Sequence, residues 1–227
     1  MGKFLQSKFA AKLQEAVSIK REESGLYKEI AELLPLAEGK RLLDVGTGTG
    51  LQLRVINFLQ PGMELYGLDL SAAAIKSAEK HLSGLGFDFR VGSIEKTDYV
   101  NDFFDIVTCN ASMSYWQKMV QCFNEIHRIL KPQGVAIFTE PHKDIDIDAA
   151  LAKIKETMKD KSPIRRFLAV NLNKFGLRRG GLVGMKLYTI GEIEDEAEQS
   201  LFGKHYNVEK IFLLDLPIFV KITLRKV

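Results

Sequence analysis

The run Leu42-Leu43-Asp44-Val45-Gly46-Thr47-Gly48-Thr49-Gly50 reads as a buried strand that ends in an acid and breaks into a glycine loop. Glycines at 46, 48 and 50 can adopt positive φ and carry no Cβ, so the turn is sharp and a flat, polar ligand can lie on its backbone. Thr49 or Gly50 then starts a helix, because Leu51, Val55, Ile56 and Leu59 fall at helical spacing. The unpaired N–H groups of that helix start point into the same space.

A second acid completes the pattern. Leu65-Tyr66-Gly67-Leu68-Asp69 is another short apolar run ending in a carboxylate, and Ser71 is placed to cap the helix that follows. Glycine loop, helix and a strand-terminal acid about twenty residues on form the general plan for an adenosine-containing ligand, the acid suiting a ribose diol. Two departures from the dinucleotide fingerprint choose among such ligands. Leu51 stands where G-x-G-x-x-G needs its last glycine, and Asp44, read as an anion just before the loop, repels a pyrophosphate but attracts an ammonium and a sulfonium. Charge thus favours S-adenosylmethionine over a nicotinamide dinucleotide.

On these residues the chain resembles the class I S-adenosylmethionine-dependent methyltransferases, in particular the small single-domain group that includes the ubiquinone and menaquinone methyltransferases. The resemblance covers residues 41 to 140 and implies that Asp44, Gly46, Gly48 and Gly50, with Thr47 among them, hold the methionine part of the cofactor. It implies that Asp69, with Leu70 beside it, holds the ribose. Val91-Gly92-Ser93-Ile94-Glu95 resembles the family's G-D-A-E segment, which assigns adenine contact to Ser93 and to the backbone at Ile94. Ser93 replaces the usual acid with a hydroxyl, which can accept a hydrogen bond but carries no charge. Phe103 to Asn110 resembles the fourth strand, Ile129 to Gly134 the turn before the fifth, and Val135 to Thr139 the fifth strand itself. The fold implied is an α/β, Rossmann-like, seven-stranded and mostly parallel sheet in the order 3-2-1-4-5-7-6, with the last strand antiparallel and helices on both sides.

Composition agrees with one α/β domain, since 227 residues can bury a substantial core and 46% hydrophobic with 27% charged residues is ordinary for globular chains. No apolar stretch reaches the length of a membrane span, and Lys3, Lys8 and Lys12 interrupt what a signal peptide would need as an apolar core, so a cytoplasmic location is expected. Cys109 and Cys122 have neither disulfide nor metal-ligand spacing and read as reduced core residues. A net charge of +3 is too small to argue for nucleic acid.

The whole chain, 1–227, is read as one methyltransferase domain. Residues 1–38 form an N-terminal helical flap, with helices over 3 to 23 and from Gly25 to Leu34. Its apolar stripe reads as packing on the sheet, and Phe9 and Tyr27 are the positions from which it could reach a pocket. Residues 41–140 are the cofactor-binding core, and 141–187 are an insertion expected to hold two helices, about 147 to 160 and 163 to 177, followed by Gly180, Gly181 and Gly184 as hinges. Leaving the carboxyl end of strand five, it is read as a lid and specificity element. Its bases read as a solvated helix face interleaved with acids, Arg178-Arg179 being the least offset. Residues 188–227 supply a helix starting at Thr189-Ile190-Gly191-Glu192 and two strands, Tyr206 to Leu214 and Pro217 to Leu224, joined at Asp215.

The resemblance implies in-line displacement of a methyl group to a nucleophile, so the protein's work is alignment and exclusion of water, with a base needed only where the acceptor must lose a proton. His142, just past strand five, and Tyr115, after strand four, are the catalytic candidates. His81, His127 and His205 read as structural. Asn110, at the end of strand four, is a cofactor candidate, and Asn110-Ala111-Ser112-Met113 lacks both prolines of the motif found in nucleic-acid amino methyltransferases. Glu140 and Asp144 alone do not make an acidic cluster, so no metal is expected. The expectation is a methyltransferase acting on a small molecule, with an RNA or protein methyltransferase docking through the basic insertion, or a non-catalytic cofactor binder, as the alternatives.

Overall fold

The computed structural model describes residues 25–157, 186–213 and 216–227. The expected helix over 3–23 with Phe9, the second insertion helix over 163–177, the arginines and glycines between 178 and 184, and Asp215 lie outside the described residues. The strands are β1 Arg41–Val45, β2 Glu64–Asp69, β3 Asp88–Val91, β4 Phe104–Asn110, β5 Leu130–Pro141, β6 Tyr206–Leu213 and β7 Leu216–Arg225. The helices are α1 Leu26–Glu32, α2 Leu51–Leu59, α3 Ala72–His81, α4 Met119–Ile129, α5 Ile147–Thr157 and α6 Ile190–Glu198, with a 3₁₀ turn at Met113–Tyr115. The sheet order is 3-2-1-4-5-7-6, as expected; β1 to β5 pair in parallel and β7 runs antiparallel to both β5 and β6.

The central strands are apolar without interruption because both faces of the sheet are covered. Successive side chains go to opposite sides. Leu43 and Val45 of β1 join a core with Phe123, Ile126 and Ile193 of α4 and α6, whereas Leu42 joins Leu53 and Ile56 of α2 on the other face. The same alternation holds for Ala136, Ile137 and Phe138 of β5. In β4 it slips: Phe104 and Ile106 lie two residues apart yet face opposite cores. A register irregularity between those residues turns the strand by one position and accounts for the change.

Helix starts follow their local chemistry. Gly50, at φ +75, precedes α2 with no side-chain cap. Ser71 Oγ accepts from Ala74 N at 3.2 Å at the start of α3, and Thr189 and Glu192 form a reciprocal capping box on α6. β5 begins earlier than expected, at Leu130, which pairs with Phe104; the turn residues 131–134 are carried within the strand, with Gln133 at φ +64. Among the described residues no helix is long and apolar enough to cross a membrane.

Candidate functional site

The strand order changes direction between β1 and β4, so the segments leaving their carboxyl ends diverge and open a crevice. One wall is the glycine loop. Gly46, Gly48 and Gly50 all have positive φ, at 75°, 56° and 75°. Gly46 N and Thr47 N donate to Leu68 O at 2.8 and 3.1 Å, tying the loop to the tip of β2. The other wall is the turn after β4, where Ala111 takes φ +51 and donates its N–H to Thr139 O at 3.0 Å. The walls meet closely: a Cβ on Gly46 would lie 2.2 Å from Ser112 Oγ, so no side chain larger than hydrogen fits there.

Asp44, the last but one residue of β1, is 3% exposed. Burial drives its carboxyl up to about 7; the Thr47 hydroxyl opposes this and the neighbouring Asp69 adds to it. Asp44 is therefore only partly ionised at neutral pH in the free protein, which corrects the reading of it as a plain anion. A ligand cation would supply the missing counter-charge.

Asp69 ends β2 with one oxygen accepting from Gly48 N at 2.9 Å and the other from Ser71 N at 2.8 Å. Burial raises its pKa while those two N–H groups hold it down. Each oxygen keeps a further acceptor position, as a ribose diol requires. Leu70, next in the chain, is half exposed. Ser93 Oγ accepts from Glu95 N at 3.1 Å within a local turn and retains its own proton, while the Ile94 side chain is buried in the core and leaves only its backbone for a ligand. Asn110 Oδ1 accepts from Thr139 Oγ1 at 3.4 Å.

Tyr115 closes the 3₁₀ turn, half-buried. His142 is 1% exposed, and neither ring nitrogen has a hydrogen-bond partner among the described residues. Burial, aided by Lys210 and opposed by Asp144, lowers its pKa, so the imidazole is neutral at pH 7. This corrects the expectation of a histidine facing an open pocket mouth. The chain returning toward α6 passes beside it, with Lys143 N donating to Tyr188 O at 2.8 Å and Lys186 N to Ser114 O at 3.3 Å. Asp144 accepts from Ile190 N at 2.9 Å at the start of α6. Its carboxylate is thereby committed to a helix end.

Residues 36–199 match the family model described as a methyltransferase domain. The chain belongs to this methyltransferase family. A demethylmenaquinone methyltransferase of Chlorobaculum parvum is 34% identical over 107 residues, which are 46% of this chain; the chain spans only 43% of that relative's length. Among solved structures, the methyltransferase chain in a Haloferax volcanii complex with the Trm112 methyltransferase activator superposes with a TM-score of 0.67 at 15% identity, covering 99% of this chain and 97% of that one. A SAM dependent methyltransferase from Aquifex aeolicus gives 0.65 at 14% identity, covering 96% of this chain and 98% of that one. At such identities the two structures speak for the fold.

Two contributors to this methyltransferase crevice escaped the sequence. Gly67, inside β2, is required because a Cβ there would lie 2.6 Å from Phe89 and 2.8 Å from Thr47, so the glycine loop folds down onto it. Ser112 carries the contact between the two walls. A lone glycine within a strand was the one available sign of the first; no local pattern announces the second.

Proposed function

We propose that this chain is an S-adenosylmethionine-dependent methyltransferase that transfers a methyl group to a small-molecule acceptor in the cytoplasm. The observation that carries the reading is Asp44, a buried acid at the strand tip whose carboxyl is lifted to about 7 beside three left-handed glycines. That site is short of a cation and open to close backbone approach. The pairing suits the ammonium of an amino acid-bearing ligand better than a pyrophosphate.

In this reading Asp44, Gly46, Thr47, Gly48 and Gly50 bind the methionine end, Asp69 the ribose, Leu70 one face of the adenine and Ser93 and Ile94 its edge, while Asn110 lines the opposite wall. The cofactor brings an already activated methyl group, so the chain's residues have to bind, orient and exclude water. His142, neutral and without a hydrogen-bond partner, is the candidate to take a proton from the acceptor at a ring nitrogen, with Tyr115 the alternative. The demethylmenaquinone methyltransferase supports a small-molecule acceptor by its name.

The test is calorimetric binding of S-adenosylhomocysteine to the wild type and to Asp69→Ala. Loss of a hydrogen-bonded carboxylate should weaken binding about 10- to 100-fold. Equal affinity in the folded variant refutes the ribose assignment, and no binding to the folded wild type refutes the cofactor.

A further inference from the structure

Glu140 stands one residue before the end of β5 and is 1% exposed, a buried carboxylate that the cofactor assignment does not use. Its Oε1 accepts two adjacent backbone N–H groups, from Ser112 at 2.8 Å and Met113 at 2.9 Å, with the Cys109 thiol at 3.4 Å. Ser112 Oγ donates to Val45 O at 2.9 Å. Cys109 Sγ lies 2.9 Å from that hydroxyl, and since the hydroxyl proton goes to Val45, the single thiol proton is left for either Ser112 Oγ or Glu140 Oε1. Burial and the charge of Glu140 push the thiol well up, which keeps its proton in place.

One carboxylate on β5 thus holds the turn that leaves β4, and through Ser112 that turn is tied to the end of β1. What it holds is strained: Ala111 sits at φ +51, a conformation that costs an alanine energy and that this fold must impose. What it positions is specific, because Ser112 is seated against Gly46 with no room for a Cβ between them.

We propose that Glu140 is a positioning residue for the turn at 111–113: by accepting the Ser112 and Met113 N–H groups it holds Ala111 in its left-handed conformation and sets the separation of the two crevice walls. The binding half of this inference rests on the cofactor reading above; the turn-holding half does not.

The chain contains its own reporter. Trp116 is the one tryptophan in the sequence. It follows the 3₁₀ turn directly, donates its N–H to Met113 O at 3.0 Å, and packs edge-on against Phe123 and Phe138 at ring separations of 6.0 and 5.7 Å. Release of the turn should move its emission to longer wavelength.

The experiment compares wild type with Glu140→Ala, Glu140→Asp and Glu140→Gln, well below each unfolding midpoint, by tryptophan emission and S-adenosylhomocysteine affinity. The alanine variant, and the aspartate variant whose carboxylate falls a methylene short, should show red-shifted emission and binding weaker by about tenfold or more. Glutamine, which keeps an oxygen in reach of both N–H groups, should stay within about threefold of wild type. If Glu140→Ala does not fold, Glu140→Asp carries the same two readouts. Wild-type emission and affinity in a folded alanine or aspartate variant would overturn the proposal, as would a glutamine variant as damaged as alanine. If the wild type itself binds no S-adenosylhomocysteine, the cofactor reading fails and Trp116 emission alone decides the turn-holding role.

Discussion

Replacing Asp44 by Asn tests the electrostatics of the crevice most directly. In the folded protein the Asp44 carboxyl titrates near 7 against an ordinary 3.8. The folded state therefore binds a proton that the unfolded state has released between these values, and stability falls as pH rises from about 4 through about 7. About three pH units at about 1.4 kcal/mol each set an upper bound of about 4 kcal/mol on this cost, fully present at pH 8. His142 and His127, whose pKa values burial lowers, act with the opposite sign. The informative quantity is therefore the difference between variant and wild type. In urea unfolding from pH 4 to pH 8.5 the difference should be near zero at the acid end. At pH 8 Asp44→Asn should be the more stable by about 2 to 4 kcal/mol.

Ligand binding should show the reverse preference. A bound ammonium draws the Asp44 proton off, so S-adenosylhomocysteine affinity for the wild type should fall below pH 7, approaching about tenfold per pH unit. For Asp44→Asn it should be flat with pH and about 10- to 100-fold weaker at pH 8. Parallel stability profiles for variant and wild type, together with equal affinities at pH 8, would refute the assignment of Asp44 as a buried acid awaiting a cation.

Gly46→Ala should lower stability by about 1 to 3 kcal/mol and reduce S-adenosylhomocysteine binding, because its Cβ would fall 2.2 Å from Ser112 Oγ in a left-handed backbone. Adding Ser112→Gly should return the steric part but not the conformational part, which urea unfolding of the single and double variants measures. His142→Phe removes two buried nitrogens that lack partners, so stability should be unchanged or rise by about 1 kcal/mol. Transfer to an acceptor that must lose a proton should meanwhile fall about 10²- to 10⁴-fold, measured with methyl-labelled cofactor on a metabolite extract.

Short uninterrupted apolar runs, punctuated by glycine and by strand-terminal acids, made the strands legible, and the order of the sheet came with the family resemblance that those residues carry. Periodicity and capping are local, and local signals reach strands and helix starts: β1, β2, β4, Ser71 on α3 and the Thr189 start of α6 stand where the chain announces them, whereas β5 begins five residues earlier than expected. The candidate cofactor residues were legible for the same reason, since Asp44, the three glycines and Asp69 lie at the ends of consecutive elements. Their states were not. Asp44 and His142 have ordinary titration in isolation, and only the surrounding protein, chiefly by removing water from both, moves the first up and the second down.

The tertiary structure alone decided which distant residues share a contact. Gly67 needs its missing Cβ because Phe89 and Thr47 come over it, and Glu140 meets Ser112 across 28 positions of sequence. Sequence by itself was enough to expect the strands and to name candidate residues at their tips, because burial pattern and turn chemistry are written in neighbouring residues. How the two walls of the crevice are spaced follows from contacts between β1, β4 and β5 that exist only once the sheet has formed.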